Sequence, residues 1–407
     1  MLQSMTEKIN TKPFYNADIP SDWEVRKLGE ISEITSGGTP DRKNKNYWNG
    51  SIPWITTSQI DFGEIKTADE FITEDGLKNS SAKYFVKGTL LIALYGQGKT
   101  RGKVAILGID ATTNQACAGI IPKEELNKNF LFFNLSNRYD EIRNLSNSGS
   151  QENLSGTIIK QIKLPLPPLP EQKVIAQLLS TWDDAITKTQ ALIAQKEQRK
   201  KWLMQNLLTG KKRLNGLDNE KWERISAGEI FKNVSVKGFD NEKLLSATQN
   251  KGIIPRSMLE ARVTMPAGET TSFKLVEIGD FVISLRSFQG GLEYSYYRGI
   301  VSPAYTVLKP IKKVNDEFYK SYFKSYDFIG HLAVAVIGIR DGKQVSYEDF
   351  CFVKIPYPSI EEQNAIAQML QSTDREIQLL RTKMEKLKEQ KKGLMQVLLT
   401  GKKRLKI

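Results

Sequence analysis

The sequence predicts an α+β protein, built as two tandem modules of mixed sheet and short helices, each followed by one long helix. Three observations carry that prediction. A segment of about fifty residues occurs twice at a fixed offset, both copies show a helical seam, and the stretches before them alternate short apolar runs with turns.

The repeat comes first. Residues 163–214, KLPLPPLPEQKVIAQLL onward to MQNLLTGKKRL, return at 354–405 as KIPYPSIEEQNAIAQML through to MQVLLTGKKRL, at a constant offset of 191. Pro165 and Pro167 match Pro356 and Pro358, Glu171-Gln172 match Glu362-Gln363, and the run from Gly210 to Leu214 matches that from Gly401 to Leu405. The segments ahead of each copy are more weakly alike: DWEVRKLGEI at 22–31 echoes KWERISAGEI at 221–230. An identical frame around dissimilar contents implies one shared job for the frames and a different ligand for each module. The boundaries that follow are a first module at 1–162, a first helical region at 163–214, a second module at 215–353 and a second helical region at 354–407.

Each frame segment reads as a helix. After the prolines, which hold an extended entry, apolar residues recur at spacings alternating four and three. The first seam runs Ile175, Leu179, Trp182, Ile186, Thr189, Ile193, Lys196, Lys200, Leu203, Leu207. The second runs Ile366, Leu370, Thr373, Ile377, Leu380, Met384, Leu387, Lys391, Leu394, Leu398. Gly210 and Gly401 suit the left-handed residue that closes a helix, and the KKR beyond each suits its negative end. A seam about 39 residues long spans roughly 58 Å and needs a covering partner, which each helix has in the other. Parallel and antiparallel pairing are both open on the seam alone. Lys196 and Lys200 argue for the other solution, each helix packed on its own module.

The modules, with runs such as IPWITTSQI, TLLIALYG, DFVISLRS and AYTVLKP, read as strands joined by Gly, Asn, Asp and Ser turns. A more helical stretch closes each, NKNFLFFNLSNRYDEIRNL and NDEFYKSYFKSYDFIGHLA. The first eighteen residues or so read as an arm. Turns carry side chains suited to bases and phosphates: Arg42, Lys43, Ser58, Gln59, Gln97, Lys99, Arg101 and Gln115 in the first module, with Lys45, Tyr47, Trp48 and Lys103 beside them. In the second module they are Gln249, Lys251, Arg256, Arg286, Gln289, Arg340 and Lys343. Arg and Lys pair with guanine or phosphate and Gln with adenine, so the mixture is apt for direct readout. It is equally the composition of an ordinary solvated surface; the clustering in glycine-rich turns after strands is what raises these residues as a group.

Composition agrees. Over 407 residues, 59 Lys plus Arg against 46 Asp plus Glu give a net charge of +13 and a pI near 9.4, the footprint of a polyanion binder. No apolar run approaches a membrane span and the N-terminus lacks a signal-peptide core, so a soluble, cytoplasmic protein without a membrane role is expected. Two cysteines, Cys117 and Cys351, and one histidine, His331, are too few for a disulfide framework or a histidine-rich zinc site. Ala93 to Thr100 nearly spells a P-loop, but its first glycine is Ala93 and a strand-like run, not a helix, follows. No Asn/Asp-Pro-Pro-aromatic motif of amino-methyltransferases is present, and no catalytic, cofactor or metal site is expected.

These features together resemble the specificity subunits of type I restriction-modification enzymes. The resemblance covers nearly the whole chain and rests on PSDWEVRKLGEI, on GTLLIALYGQGKTRGKVAIL leading to TTNQACAGIIP, and on GSQENLSGTIIKQIKLPLPPLPEQKVIAQLL with its second round. The second module departs mildly, with SPA at 302–304 where the first has NQA at 114–116. The resemblance implies two target-recognition domains joined by two helical regions that fold as an antiparallel coiled coil. That coil would set the distance between two unlike half-sites on double-stranded DNA. It further implies a non-catalytic subunit that holds two methyltransferase subunits, through which restriction and translocase subunits join. S-adenosylmethionine, ATP and Mg would then serve the partners and not this chain. The alternatives are a coiled-coil scaffold whose modules bind proteins, and a P-loop NTPase, whose activity would appear without partners and vanish in Lys99→Ala.

Overall fold

In the computed structural model the described residues are 10–14, 17–96, 98–145, 153–217, 221–259, 270–285, 287–335 and 345–405. They fall into two compact units, Met1–Thr189 with Lys383–Ile407, and Gln190–Thr382. Each unit takes one module and a part of both long helices.

In the first unit, residues 11–14 and 17–20 pair as an antiparallel hairpin. A five-stranded sheet has the order 32–36, 117–122, 90–93, 104–107, 64–65, and a four-stranded sheet the order 70–72, 48–55, 111–113, 84–85. Strands 90–93 and 104–107 are antiparallel neighbours. The near P-loop between them is therefore a hairpin connection, with no helix N-terminus to receive a phosphate. The stretch read as helical forms helices at Lys128–Asn137 and Tyr139–Arg143. Its Phe130, Leu131 and Phe133 are buried against the first sheet.

In the second unit the sheet order is 231–234, 306–310, 281–283, 293–294, flanked by two-stranded pairs 245–248 with 252–255 and 274–276 with 299–301. Its core is aromatic: Phe231, Phe281, Tyr319, Tyr322, Phe323, Phe328 and Phe350 are fully buried.

Both modules close in the same way. The strand that enters the frame, Lys163–Leu166 or Lys354–Tyr357, pairs antiparallel with the strand that opens its module, Glu24–Lys27 or Glu223–Ser226. The following glutamine explains half of the repeated Glu-Gln. Gln172 donates to the Pro167 carbonyl at 2.9 Å and accepts from the Asn127 N–H at 2.8 Å. Gln363 does the same with Pro358 and Asn315, at 2.9 and 2.8 Å. A buried amide thus ties helix entry to the loop before the module's closing helices.

The long helices are Leu169–Leu207 and Ile360–Leu398, 39 residues each. Every seam residue is buried or half-buried, and most of its neighbours are exposed. Both solutions open on sequence grounds are used. The helix ends pack into module cores: Ile175, Leu179 and Leu398 in the first unit, Leu203, Leu207, Ile366 and Leu370 in the second. Toward their middles the helices pair with each other, and the seam lysines show the direction. In the first unit Lys391 meets Asp183 at 2.5 Å. In the second, Lys196 meets Glu376 at 2.6 Å and Lys200 meets Asp374 at 2.5 Å. Rising numbers on one helix meet falling numbers on the other in the second unit, and in the first the chain from Lys391 to Arg404 meets Asp183 and then Glu171, so the pairing within each unit is antiparallel. The lysines that argued against a coil reach from the seam to carboxylates on the facing helix. Lys200–Asp374 and Lys391–Asp183 are one interaction seen twice, since both partners are related by the offset of 191.

Candidate nucleic-acid interface

In the first module, strand 111–113 runs parallel to strand 48–55, with Thr113 opposite Ile55. Both chains therefore leave the sheet at one edge, where the Asn114 N–H donates to the Ile55 carbonyl. The Leu94 N–H donates to Ala116, and those of Gly37 and Gly38 to Cys117 and Thr113. Four connections, described at 37–43, 56–61, 94–96 with 98–103, and 114–116, are so drawn to one rim, and they carry the first module's candidate contact residues that are described.

Their environments differ. Arg42 lies against two indoles, 3.8 Å from the Trp48 ring centre and 4.6 Å from that of Trp54, and pairs with Glu70 through both terminal nitrogens. The indoles are fixed in turn by the carbonyls of Asp41 and Gly38. A guanidinium so held stiffens its loop and presents the exposed Lys43 beside it. Gln59 donates to the Thr67 carbonyl, and its own amide oxygen is buried without a partner. Ser58 shares a hydrogen bond with Thr56. Gln115 is exposed and accepts from the Thr39 hydroxyl. Lys99 is exposed at the hairpin tip, which the Tyr139 hydroxyl holds by donating to the Lys99 carbonyl. Arg101 is turned inward, 5% exposed. The rim thus offers Lys43, Ser58, Lys99 and Gln115 to solvent, holds the half-exposed Arg42 against its indoles and Glu70, and turns Arg101 inward. Gln97 lies outside the described residues.

In the second module the hairpin joining 245–248 to 252–255 presents Gln249, Asn250 and Lys251 at its tip. It borders a cleft of about 630 Å³ lined by residues 247–251, Ile254, Met258, Leu259, Ser284, Leu285, Glu293 and Tyr305. Lys324 braces the cleft, donating to the Gly290 carbonyl at 2.9 Å and to Glu293 at 2.6 Å. Burial pushes the Glu293 carboxyl upward against that ammonium. Gln289 is exposed on the short helix Ser287–Gly290. Arg256 donates to the Ser246 hydroxyl at 3.1 Å, along the side of the hairpin. Arg286, Arg340 and Lys343 lie outside the described residues.

Asp280 anchors the turn that feeds the strand at 281–283, accepting from the Glu277 N–H at 2.8 Å. Burial pushes its carboxyl up to about 6, from an ordinary 3.8. A raised acid holds its proton in the folded state, so its contribution is most favourable below pH 4 and is lost as pH rises through 6. Melting curves should show the wild-type second unit gaining ~2 kcal/mol on Asp280→Asn between pH 6.5 and 4. Glu277, lowered chiefly by its bond to Lys309, acts with the opposite sign at more acid pH. Parallel pH profiles for the two proteins would count against this assignment.

The frame contains a pair of latches that residue spacing did not reveal. Glu171, fully buried, accepts from Arg404 at 2.9 and 2.6 Å and from the Trp23 indole at 3.2 Å. Glu362, equally buried, accepts from Arg213 at 2.6 and 2.7 Å and from Trp222 at 2.7 Å. Each arginine of the repeated GKKRL therefore enters an ion pair inside a unit, beyond any favourable placement at a helix end. The only advance sign was the exact repetition of Glu-Gln, Gly-Lys-Lys-Arg and the module-opening Trp. Gly210 and Gly401 take φ of +72° and +69° to turn those tails inward. A Cβ at Gly401 would stand 2.3 Å from Pro20.

The positive charge is unevenly placed along the chain. Residues 1–162 hold nineteen basic and nineteen acidic side chains and 215–353 hold eighteen and seventeen; 163–214 hold ten and four, and 354–407 twelve and six. Nearly all of the +13 belongs to the frame, while the two modules are each close to neutral overall.

A family model described as the type I restriction modification DNA specificity domain matches residues 20–197 and again 219–389. The chain belongs to this family. Members share the length as well as the motif: the type I restriction enzyme MjaVIII specificity subunit of Methanocaldococcus jannaschii is 26% identical over 98% of this chain and 96% of its own. The fold matches that of the type I restriction-modification S subunit from M. genitalium, with a TM-score of 0.55 at 16% identity over 95% of this chain and 98% of that one. It also matches a chain from a study of complex assembly and conformational transition in the type I R-M system, with a TM-score of 0.61 at 17% identity over 96% and 100%. The family model takes in each module together with most of the long helix that follows it, the same two rounds set by the offset of 191. Among the described residues no helix is long and apolar enough to cross a membrane.

Proposed function

We propose that this chain is the DNA-specificity subunit of a type I restriction-modification complex, reading a bipartite, asymmetric site on double-stranded DNA. The first module reads one half-site through the rim of Lys43, Ser58, Lys99 and Gln115, and the second reads the other through the Gln249–Lys251 hairpin and its cleft. The long helices space the half-sites and dock methyltransferase subunits, two of them, through which restriction subunits join. The chain works in the cytoplasm and adds no chemistry of its own; S-adenosylmethionine, ATP and Mg act in the partners. The observation that carries this reading is that two surfaces of unlike composition are held on two near-identical latches, Glu171–Arg404 and Glu362–Arg213. A duplicated mount with different contents is what unlike half-sites require.

The test is genome-wide adenine methylation in cells carrying this chain and its cognate methyltransferase, compared with a chain ended after residue 214. The full chain should give one split motif with unlike halves. The shortened chain lacks Leu398 and Arg404, which complete the first unit, so its motif should be lost or become symmetric. Methylation indifferent to this chain would defeat the reading.

A further inference from the structure

Four large apolar side chains of the second unit stand in solvent on the helix pair: Leu192 at 38%, Trp202 at 46%, Met369 at 37% and Leu379 at 63% exposure. With the seam as heptad positions a and d, Leu192 and Met369 fall at g, and Trp202 and Leu379 at c. In an antiparallel pair these positions of both helices share one side. The Arg381–Glu197 pair, both at e, marks the other side. The four therefore form one stripe, with the exposed Arg199 between them and the Lys212 ammonium 4.8 Å from the Trp202 ring centre.

The offset of 191 gives the counterpart stripe in the first unit. Leu192 corresponds to Lys383, Trp202 to Gly393, Met369 to Leu178 and Leu379 to Lys188. Leu178 is half-buried, and the other three are exposed. Two faces made equivalent by the repeat thus differ in kind. One is apolar with a central aromatic and a basic margin; the other is basic, and Gly393 offers no side chain where the first has an indole.

We propose that the two faces load the same partner, the methyltransferase subunit, with unequal affinity, the apolar face of the second unit filling first. This rests on the function proposed above. The partner's chemistry follows from the helices: a surplus of basic residues in both helical regions calls for an acidic surface, and the stripe calls for the apolar side of an amphipathic helix. DNA could neutralise the lysines but would leave Leu192, Trp202, Met369 and Leu379 uncovered. Buried Trp anchors dominate interface energies, whereas rim lysines act mainly on encounter rate and salt dependence. The first-unit face should therefore bind more weakly and lose more affinity as salt rises.

The experiment is calorimetric titration of the full chain with its cognate methyltransferase subunit, with the assemblies counted by native mass spectrometry. Two steps are expected, separated by at least about tenfold in Kd, with the weaker step the more salt-sensitive. The triple variant Leu192→Lys, Trp202→Ala, Leu379→Lys should abolish the tight step while melting as the wild type does. The converse variant Lys188→Leu, Lys383→Leu, Gly393→Trp should bring the two steps together; as a gain of binding, it cannot be mistaken for misfolding. Equal steps in the wild type, or steps that neither variant moves, overturn the inference and leave the proposed function standing. Loss of DNA binding without change in loading, on substitution of Lys188 and Lys383, assigns that face to DNA and also overturns it. A chain that binds no methyltransferase subunit defeats the proposed function itself.

Discussion

Arg404→Ala should destabilise the first unit by about 3–5 kcal/mol, the cost of leaving a buried carboxylate without its cation. Glu171 is fully enclosed, and Arg404 supplies two of the three hydrogen bonds it receives, the Trp23 indole the third. Arg404 also bonds Asp22, but that carboxylate is half exposed and water can replace the arginine there. Hydrogen exchange resolved by segment is the appropriate measurement. Amides of strands 24–27 and 163–166 should lose protection in Arg404→Ala, and those of 223–226 and 354–357 in Arg213→Ala. Pairing Arg404→Ala with Glu171→Gln should recover part of the loss, because the group left behind is then neutral. Lys388→Ala removes only an exposed pair with Glu385 and should fall within about 0.5 kcal/mol of wild type. Equal exchange in Arg404→Ala and Lys388→Ala would show that the latch contributes nothing.

Phe231→Ala should cost the second unit a similar amount, about 3–5 kcal/mol. The Phe231 ring is fully buried, with the rings of Phe281, Tyr319, Phe323 and Phe350 centred 5.5, 5.2, 5.4 and 6.4 Å away. Its strand also receives the Tyr347 hydroxyl at the Phe231 carbonyl. A cavity among rigid rings collapses poorly, which places the change at the costly end of large-to-small substitutions. Phe231→Leu keeps more of the volume and should lose about 1–2 kcal/mol. Denaturant melts read by segment would show the loss in the second unit. On the proposed function, methylation should then lose the entire split motif, because one folded module cannot select a bipartite site. Unchanged stability in Phe231→Ala would refute the account of this core.

Much of this architecture was legible in advance, because the strongest patterns are local or repeated. A heptad seam is set by the geometry of a single helix, and all of its residues proved buried or half-buried. The strand and turn pattern placed the hairpin at 90–107 correctly and removed the near P-loop with it. The settings of the individual candidate contact residues were less legible. Arg42 and Lys43 are exposed neighbours of the same chemistry, yet one packs against two tryptophans and pairs with Glu70 while the other extends into solvent. That difference depends on Glu70 and Trp54, and no spacing rule relates those residues to position 42.

The sequence by itself determined that there are two rounds of one design, where the long helices run, and that each closes at a glycine. Periodicity and duplication record these directly. Tertiary structure alone decided that the pairing in each unit is antiparallel, that a terminal GKKRL completes the first unit, and which arginines are framework and which lysines are surface. The latches turn on partners 148 to 233 residues apart, as with Trp23, Glu171 and Arg404. A carboxylate on a helix reads the same whether water or a distant guanidinium will meet it. Only folding removes the water and fixes the choice.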